Sequence, residues 1–157
     1  MAHIHEKIDY TVEVFIVHKN KVLLRKHDKY DIWLSVGGHI ELDETPEDAA
    51  VREVKEEVGL DIKLVGNRKG EANGNSENRG HRDLLPPKYL GIHPVNDTHQ
   101  HIVFVYFATT NSDKILESIY EKEKAETCWV SKDELEKMEL VPNVKFYALE
   151  ALKELSI

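Results

Sequence analysis

A chain of 157 residues with 41% hydrophobic and 32% charged residues has the balance of a globular domain rather than of a disordered segment. Its 21 Lys+Arg against 29 Asp+Glu leave a formal net charge of −8, which argues against a sequence-independent nucleic-acid binder, because such binding needs many cationic contacts to phosphates. No apolar run reaches the ~20 residues that span a bilayer, the N-terminus carries no apolar signal region, and the single Cys128 excludes an internal disulfide framework or a multi-cysteine zinc site.

Ile8 to His18 is rich in β-branched and aromatic residues and predicts a strand. Lys19-Asn20 breaks the pattern before Lys21 to Lys26, which predicts a hairpin. The short run Ile32 to Val36 ends at Gly37-Gly38, where the backbone can turn sharply or approach a ligand closely. Thr45 suits a helix N-cap and Pro46 the first helical position. Glu47 and Asp48 complement the dipole, and Gly59 supplies a left-handed stop. Between them Ala50, Val51, Val54 and Val58 recur at helical spacing and are expected to form the buried face.

Asp61 to Gly66 predicts a further strand, and Asn67 to Asp83, rich in turn residues, a mobile loop. Leu84 to Val95, broken by Pro86-Pro87, fits an edge strand or an extended lead-in, whereas His101 to Ala108 is apolar on both faces and fits a central strand. Lys124 to Val130 predicts one more strand. Ser131 with Glu134 forms a capping box opening a short helix, and Val144 to Leu155 predicts an amphipathic closing helix. No repeat, low-complexity tract or linker separates two cores, so the reading is one cytoplasmic α+β domain over residues 1–157.

Chemistry concentrates on the predicted helix. Glu53, Glu56 and Glu57 stand at i, i+3 and i+4 and project within reach of one another, on a face expected to lie opposite the Val51/Val54/Val58 stripe. Like charges so placed repel by tenths of a kcal/mol per pair, and a hard divalent cation with oxygen ligands is the natural counterweight. A solvated acidic face is the plainer reading of such a triplet. The segment Glu41 to Glu57 carries eight acidic residues against Arg52 and Lys55, a local balance of −6 that leaves only −2 for the rest of the chain.

Gly37 to Leu60, GGHIELDETPEDAAVREVKEEVGL, resembles the signature box of the Nudix hydrolases. Gly38, Glu44, Arg52, Glu53, Val54, Glu56, Glu57, Gly59 and Leu60 fill its fixed places in register. One departure is Ser35-Val36 before the glycine pair, where many members have a proline. The resemblance implies the Nudix fold, an α/β/α sandwich around a mixed sheet. It also implies metal-dependent hydrolysis of a phosphoanhydride in a nucleoside diphosphate linked to another group. By position, Glu53, Glu56 and Glu57 would hold magnesium (or manganese in its place) with the Gly37 carbonyl. Glu53 is the first choice for positioning or deprotonating water, Arg52 would orient a neighbouring glutamate, and Glu44 would brace the loop before the helix. A further acidic ligand often precedes the last strand in this family. Glu121, Glu123 and Glu126 lie in that region, with Glu123 at the most comparable distance from Trp129, although they equally read as a solvent-facing charge run.

Specificity lies outside the box. His93, Asn96, His99 and His101 could meet a base or sugar, and Arg68, Lys69, Arg79 and Arg82 could cover phosphates, while Trp33 and Trp129 suit the core better. Cys128 reads as a small buried hydrophobe. Marker segments for coenzyme A, NADH, dinucleoside polyphosphate or ADP-ribose hydrolases are not evident, which favours a nucleoside triphosphate or nucleotide sugar as a small-molecule substrate, without polymeric nucleic acid. Homodimers are common among similar proteins. The alternative is a catalytically weak nucleotide-binding or regulatory module of the same fold, which loss of one of the three glutamates would favour. All three are present.

Overall fold

Alternation along the first strand decides the architecture. A computed structural model describes residues 4–27, 29–68, 80–116 and 125–157. In β1 (Ile8–His18), Val12, Val14 and Ile16 face one way and Phe15 and Val17 the other, so the strand must be covered on both sides. The first set packs against Ala49, Ala50, Val54 and Val58 of α1 (Pro46–Val58). The second packs against Val144, Ala148, Ala151 and Leu152 of α3 (Pro142–Leu155). The result is the expected sandwich: helices on both faces of a mixed sheet.

The remaining strands are β2 (Lys21–His27), β3 (Ile32–Leu34), β4 (Val36–His39), β5 (Ile62–Leu64), β6 (Tyr89–Pro94), β7 (Gln100–Thr110) and β8 (Thr127–Ser131), with α2 at Lys132–Lys137. The main path runs β3-β2-β1-β7-β5. Off it, β4 pairs with β1, β6 with β7 and β8 with β2. β1 and β7 run parallel from Ile8↔Gln100 to Val17↔Thr109, and the other pairings are antiparallel. β7 is central as expected, and β6 runs beside it after Pro86-Pro87. The β1–β2 hairpin turns through Lys19 and Asn20, whose φ values of 43° and 64° are those of a two-residue primed turn. The predicted capping box of Ser131 with Glu134 forms, Thr45 caps α1 as expected and closes a second box with Asp48, and Gly59 ends α1 at φ 71°.

Two expectations are corrected. Val51 is 46% exposed, and Ala49 takes its place on the buried face. That face also includes Glu53, so the carboxylates border the apolar stripe instead of lying opposite to it. The Gly37-Gly38 pair is not a turn. It lies extended in β4, with Glu13↔Gly37 and Val12↔Gly38 in register. A Cβ on Gly37 would stand 2.0 Å from the Val12 carbonyl oxygen, so close backbone approach, not a reversal, requires glycine there.

Candidate active site

α1 and β4 build the site together. Arg52 is its centre. Its Nε donates to Glu44 Oε2 (2.9 Å), and its Nη2 donates to Glu44 Oε1 (2.6 Å) and to the His39 carbonyl (3.0 Å). Its Nη1 donates to Glu53 Oε1 and Glu56 Oε2, both at 3.0 Å. All five of these bonds draw on the guanidinium fork, two of them in a bidentate grip on Glu44. Glu44 Oε1 also accepts from the Glu41 N–H at 2.9 Å, tying the loop ahead of α1 to the helix.

These contacts set the charge states. Hydrogen bonding to Arg52 holds the Glu44 carboxyl below the ordinary range and raises Arg52. Burial pushes Glu53 up, and the neighbouring Arg52 opposes that rise. Glu57 is placed differently: the Gly37 N–H donates to its Oε2 at 3.3 Å, and Arg25 Nη1 stands 3.8 Å from its Oε1. Arg25, only 9% exposed in β2, was not singled out by sequence reasoning. Its signal was a cation directly after the apolar run Val22-Leu23-Leu24, followed at once by Lys26.

Gly38 faces α1. A Cβ there would lie 2.4–2.7 Å from the carboxylate atoms of Glu53, so the bare backbone leaves the room in which that carboxylate sits. The two glycines should therefore fail differently. Gly37→Ala meets backbone and is expected to destabilise the fold by several kcal/mol. Gly38→Ala meets the end of a side chain and is expected to cost about 1–2 kcal/mol while displacing Glu53. Thermal melts of the two variants beside their hydrolytic rates check this.

The other predicted residues fall into place unevenly. Glu126 is exposed and ion-paired with Lys26 at 3.6 Å, while Glu121 and Glu123 lie outside the described residues. Arg68 ion-pairs with Glu47 in the first turn of α1, and Lys69 and Arg79 lie outside the described residues. Trp129 packs against the α1-side core and donates from Nε1 to the Asp113 carbonyl (2.9 Å), and Trp33 packs against the α3-side core. Cys128 is half-buried there too, with its thiol pushed up by burial.

The matching family model is the NUDIX domain, over residues 8–151. The chain belongs to the Nudix family. A solved NUDIX-family hydrolase from Clostridium perfringens is 38% identical, with a TM-score of 0.84, covering 94% of this chain and 98% of that one. A MutT NUDIX hydrolase from Burkholderia pseudomallei, 21% identical with a TM-score of 0.62, shares the Nudix fold over 96% of this chain and 100% of its own. Among curated relatives, a dihydroneopterin triphosphate diphosphatase from Haemophilus influenzae is 50% identical over 52 residues, about a third of each protein (32% and 33%). One from Escherichia coli is 48% identical over 44 residues, 28% of this chain and 29% of that protein. The enzyme class expected from the sequence, a Nudix hydrolase, agrees with these names. Among the described residues no helix is long and apolar enough to cross a membrane.

One Nudix-fold residue outside the box bears on stability. Glu13 on β1 lies opposite Gly37, and its Oε2 is buried with no hydrogen-bond partner among the described residues. Burial raises its pKa from 4.5 to about 6. Between those values the folded protein keeps a proton that the unfolded chain has lost, so stability falls as pH rises through that window. The loss is of order 2 kcal/mol. Glu13→Gln is expected to flatten this slope, matching the parent near pH 4 and exceeding its stability at pH 7. Denaturant melts at both pH values measure it.

Proposed function

We propose that this Nudix protein is a divalent-metal-dependent pyrophosphohydrolase. Its substrate would be a nucleoside triphosphate or a similarly built triphosphate, hydrolysed at a phosphoanhydride bond by a single domain spanning residues 1–157. The observation that carries the reading is the placing of Glu53 against Gly38 and Glu57 against Gly37, with Arg52 joining Glu53 to Glu56.

The donor set fits magnesium. Three carboxylates and a backbone carbonyl are hard oxygen ligands. Gly37 turns its N–H toward Glu57, and in an antiparallel strand the carbonyl of the same residue projects from the same edge. Glu53, Glu56, Glu57 and the Gly37 carbonyl would hold the ion, with an acidic side chain from the 121–126 region, Glu123 first, as a further ligand. When bound, the ion would neutralise phosphate charge and acidify water.

The chain's own residues do the rest. Burial raises the proton affinity of Glu53, which suits it to orient and deprotonate the attacking water. Arg52 holds Glu53 and Glu56 in a fixed arrangement and so acts through them, as a positioning residue. Two curated relatives are dihydroneopterin triphosphate diphosphatases, which favours a triphosphate over a nucleotide sugar.

The test is a panel of ordinary and oxidised nucleoside triphosphates, dihydroneopterin triphosphate, nucleotide sugars and dinucleoside polyphosphates, with and without magnesium, identifying both products. Magnesium-dependent release of pyrophosphate from a triphosphate is expected. No phosphate or pyrophosphate from any member would overturn the reading in favour of a binding module.

A further inference from the structure

The sequence sets apart a group of histidines, His93, His99 and His101, for which the carboxylate site has no use. The fold gathers them around the start of β1, where this strand lies between β4 and β7. Asp9 pairs with His101 across the parallel ladder, and Thr11 pairs with His39 across the antiparallel one. Paired residues share a face, and so do residues two apart, so Asp9, Thr11, His39 and His101 project from one side of the sheet. That is the side of Phe15 and Val17, away from Gly38 and Glu53.

On that face a carboxylate oxygen of Asp9 and one ring nitrogen each from His39 and His101 lie within 4.8 Å of one another. His39 Nε2 stands 3.5 Å from Asp9 Oδ2, close to the ~3.3 Å edge of a tetrahedral ion with bonds of about 2.0–2.2 Å. Three hydrogen-bonded strands, β4, β1 and β7, hold the donors.

The carboxylate is oriented from outside. Asp9 is 1% exposed, and its Oδ1 accepts from the His5 N–H at 2.8 Å. His99, 4% exposed, sets Nε2 3.2 Å from Asp9 Oδ2 while its Nδ1 meets the Glu6 carbonyl at 3.1 Å. Groups that fix a ligating carboxylate in this way accompany metal sites. Two imidazoles with one carboxylate suit zinc-like ions rather than magnesium.

We propose that Asp9, His39 and His101 bind a divalent first-row transition-metal ion such as zinc, at a site separate from the carboxylates of α1 and on the opposite face of the sheet. His39 links the two, because its carbonyl accepts from Arg52 Nη2 at 3.0 Å. An ion on its ring stiffens the end of β4 beside the carboxylate cluster.

The test uses EDTA-treated full-length protein titrated with Co2+ and read by visible absorption. Low-coordinate, histidine-ligated Co2+ is intensely coloured, and six-coordinate oxygen-ligated Co2+ is not. The expected result is one such intense signal per chain, kept in the Glu56→Gln/Glu57→Gln double variant and weakened about 100-fold or more in affinity in His101→Gln. Nitrogen-15 NMR of the unaltered protein with Zn2+ guards against a folding defect in that variant: the His39 and His101 ring nitrogens should move while those of His18 and His27 stay. Only weak absorption, a signal abolished by the glutamate variants but kept in His101→Gln, or unmoved His39 and His101 rings would overturn the proposal. Hydrolytic activity enters none of these readouts, so failure of the enzymatic reading leaves this test standing.

Discussion

Glu57→Gln is expected to lower turnover in saturating magnesium by about three orders of magnitude, or ~4 kcal/mol of barrier, while shifting folding stability by no more than about 1 kcal/mol. The asymmetry follows from the contacts. Glutamine keeps the shape and an acceptor oxygen for the Gly37 N–H, now 3.3 Å from Glu57 Oε2. What disappears is the charge, and with it the ligand that faces the Gly37 edge of β4. Arg25, 3.8 Å from Glu57 Oε1, then faces a neutral amide, which sets most of the small stability cost. Initial rates across a magnesium titration, beside thermal melts, separate the two effects. A parental rate in saturating magnesium would remove Glu57 from the proposed ligand set. A variant that melts well below the parent would make its lost rate a folding effect.

The helix that carries these glutamates was legible to the residue, because its signals are local. Thr45, Pro46, Asp48 and Gly59 act through the chain immediately beside them. The strand before it was misread for the opposite reason. A glycine pair in isolation suggests a reversal, and only the approach of β1, with the Val12 carbonyl where a Cβ of Gly37 would stand, makes it an extended segment. Val51 was misplaced because helical spacing alone cannot say where a stripe is centred, and Ala49 and Glu53 shift it. Arg25 and Asp9 were invisible for a third reason. Each is a charged residue in an apolar strand, and its meaning depends on partners that adjoining strands and α1 bring from far along the chain. The resemblance to the Nudix box therefore located the carboxylates, and the sheet register supplied what surrounds them.

Arg52 offers the sharper separation of roles. Arg52→Met should destabilise the protein by about 3 kcal/mol at neutral pH, because it strips the shared cation from three carboxylates at once, and removing one partner of a buried pair leaves the other uncompensated. Glu44 and Glu53 are largely buried, at 12% and 8% side-chain exposure, and carry most of that cost. Glu56, at 42%, is screened by solvent and carries little. The pH dependence has a definite sign. In the parent, Glu44 is held below its ordinary 4.5 by Arg52, so its contribution is full above that value and lost as pH falls through the depressed one. Without Arg52 the contribution is gone at every pH, and Glu53 rises further because burial and the neighbouring Glu56 and Glu44 then act on it unopposed. Both changes make the gap between parent and variant widest at neutral pH and narrower toward acid. Denaturant melts from pH 3 to 8 measure it. Arg52→Lys keeps the charge but not the fork, and should recover part of the stability and less of the rate, because one ammonium cannot bridge Glu44, Glu53 and Glu56 together. Equal recovery of both would mean that Arg52 supplies only charge, and the positioning role would fall with it.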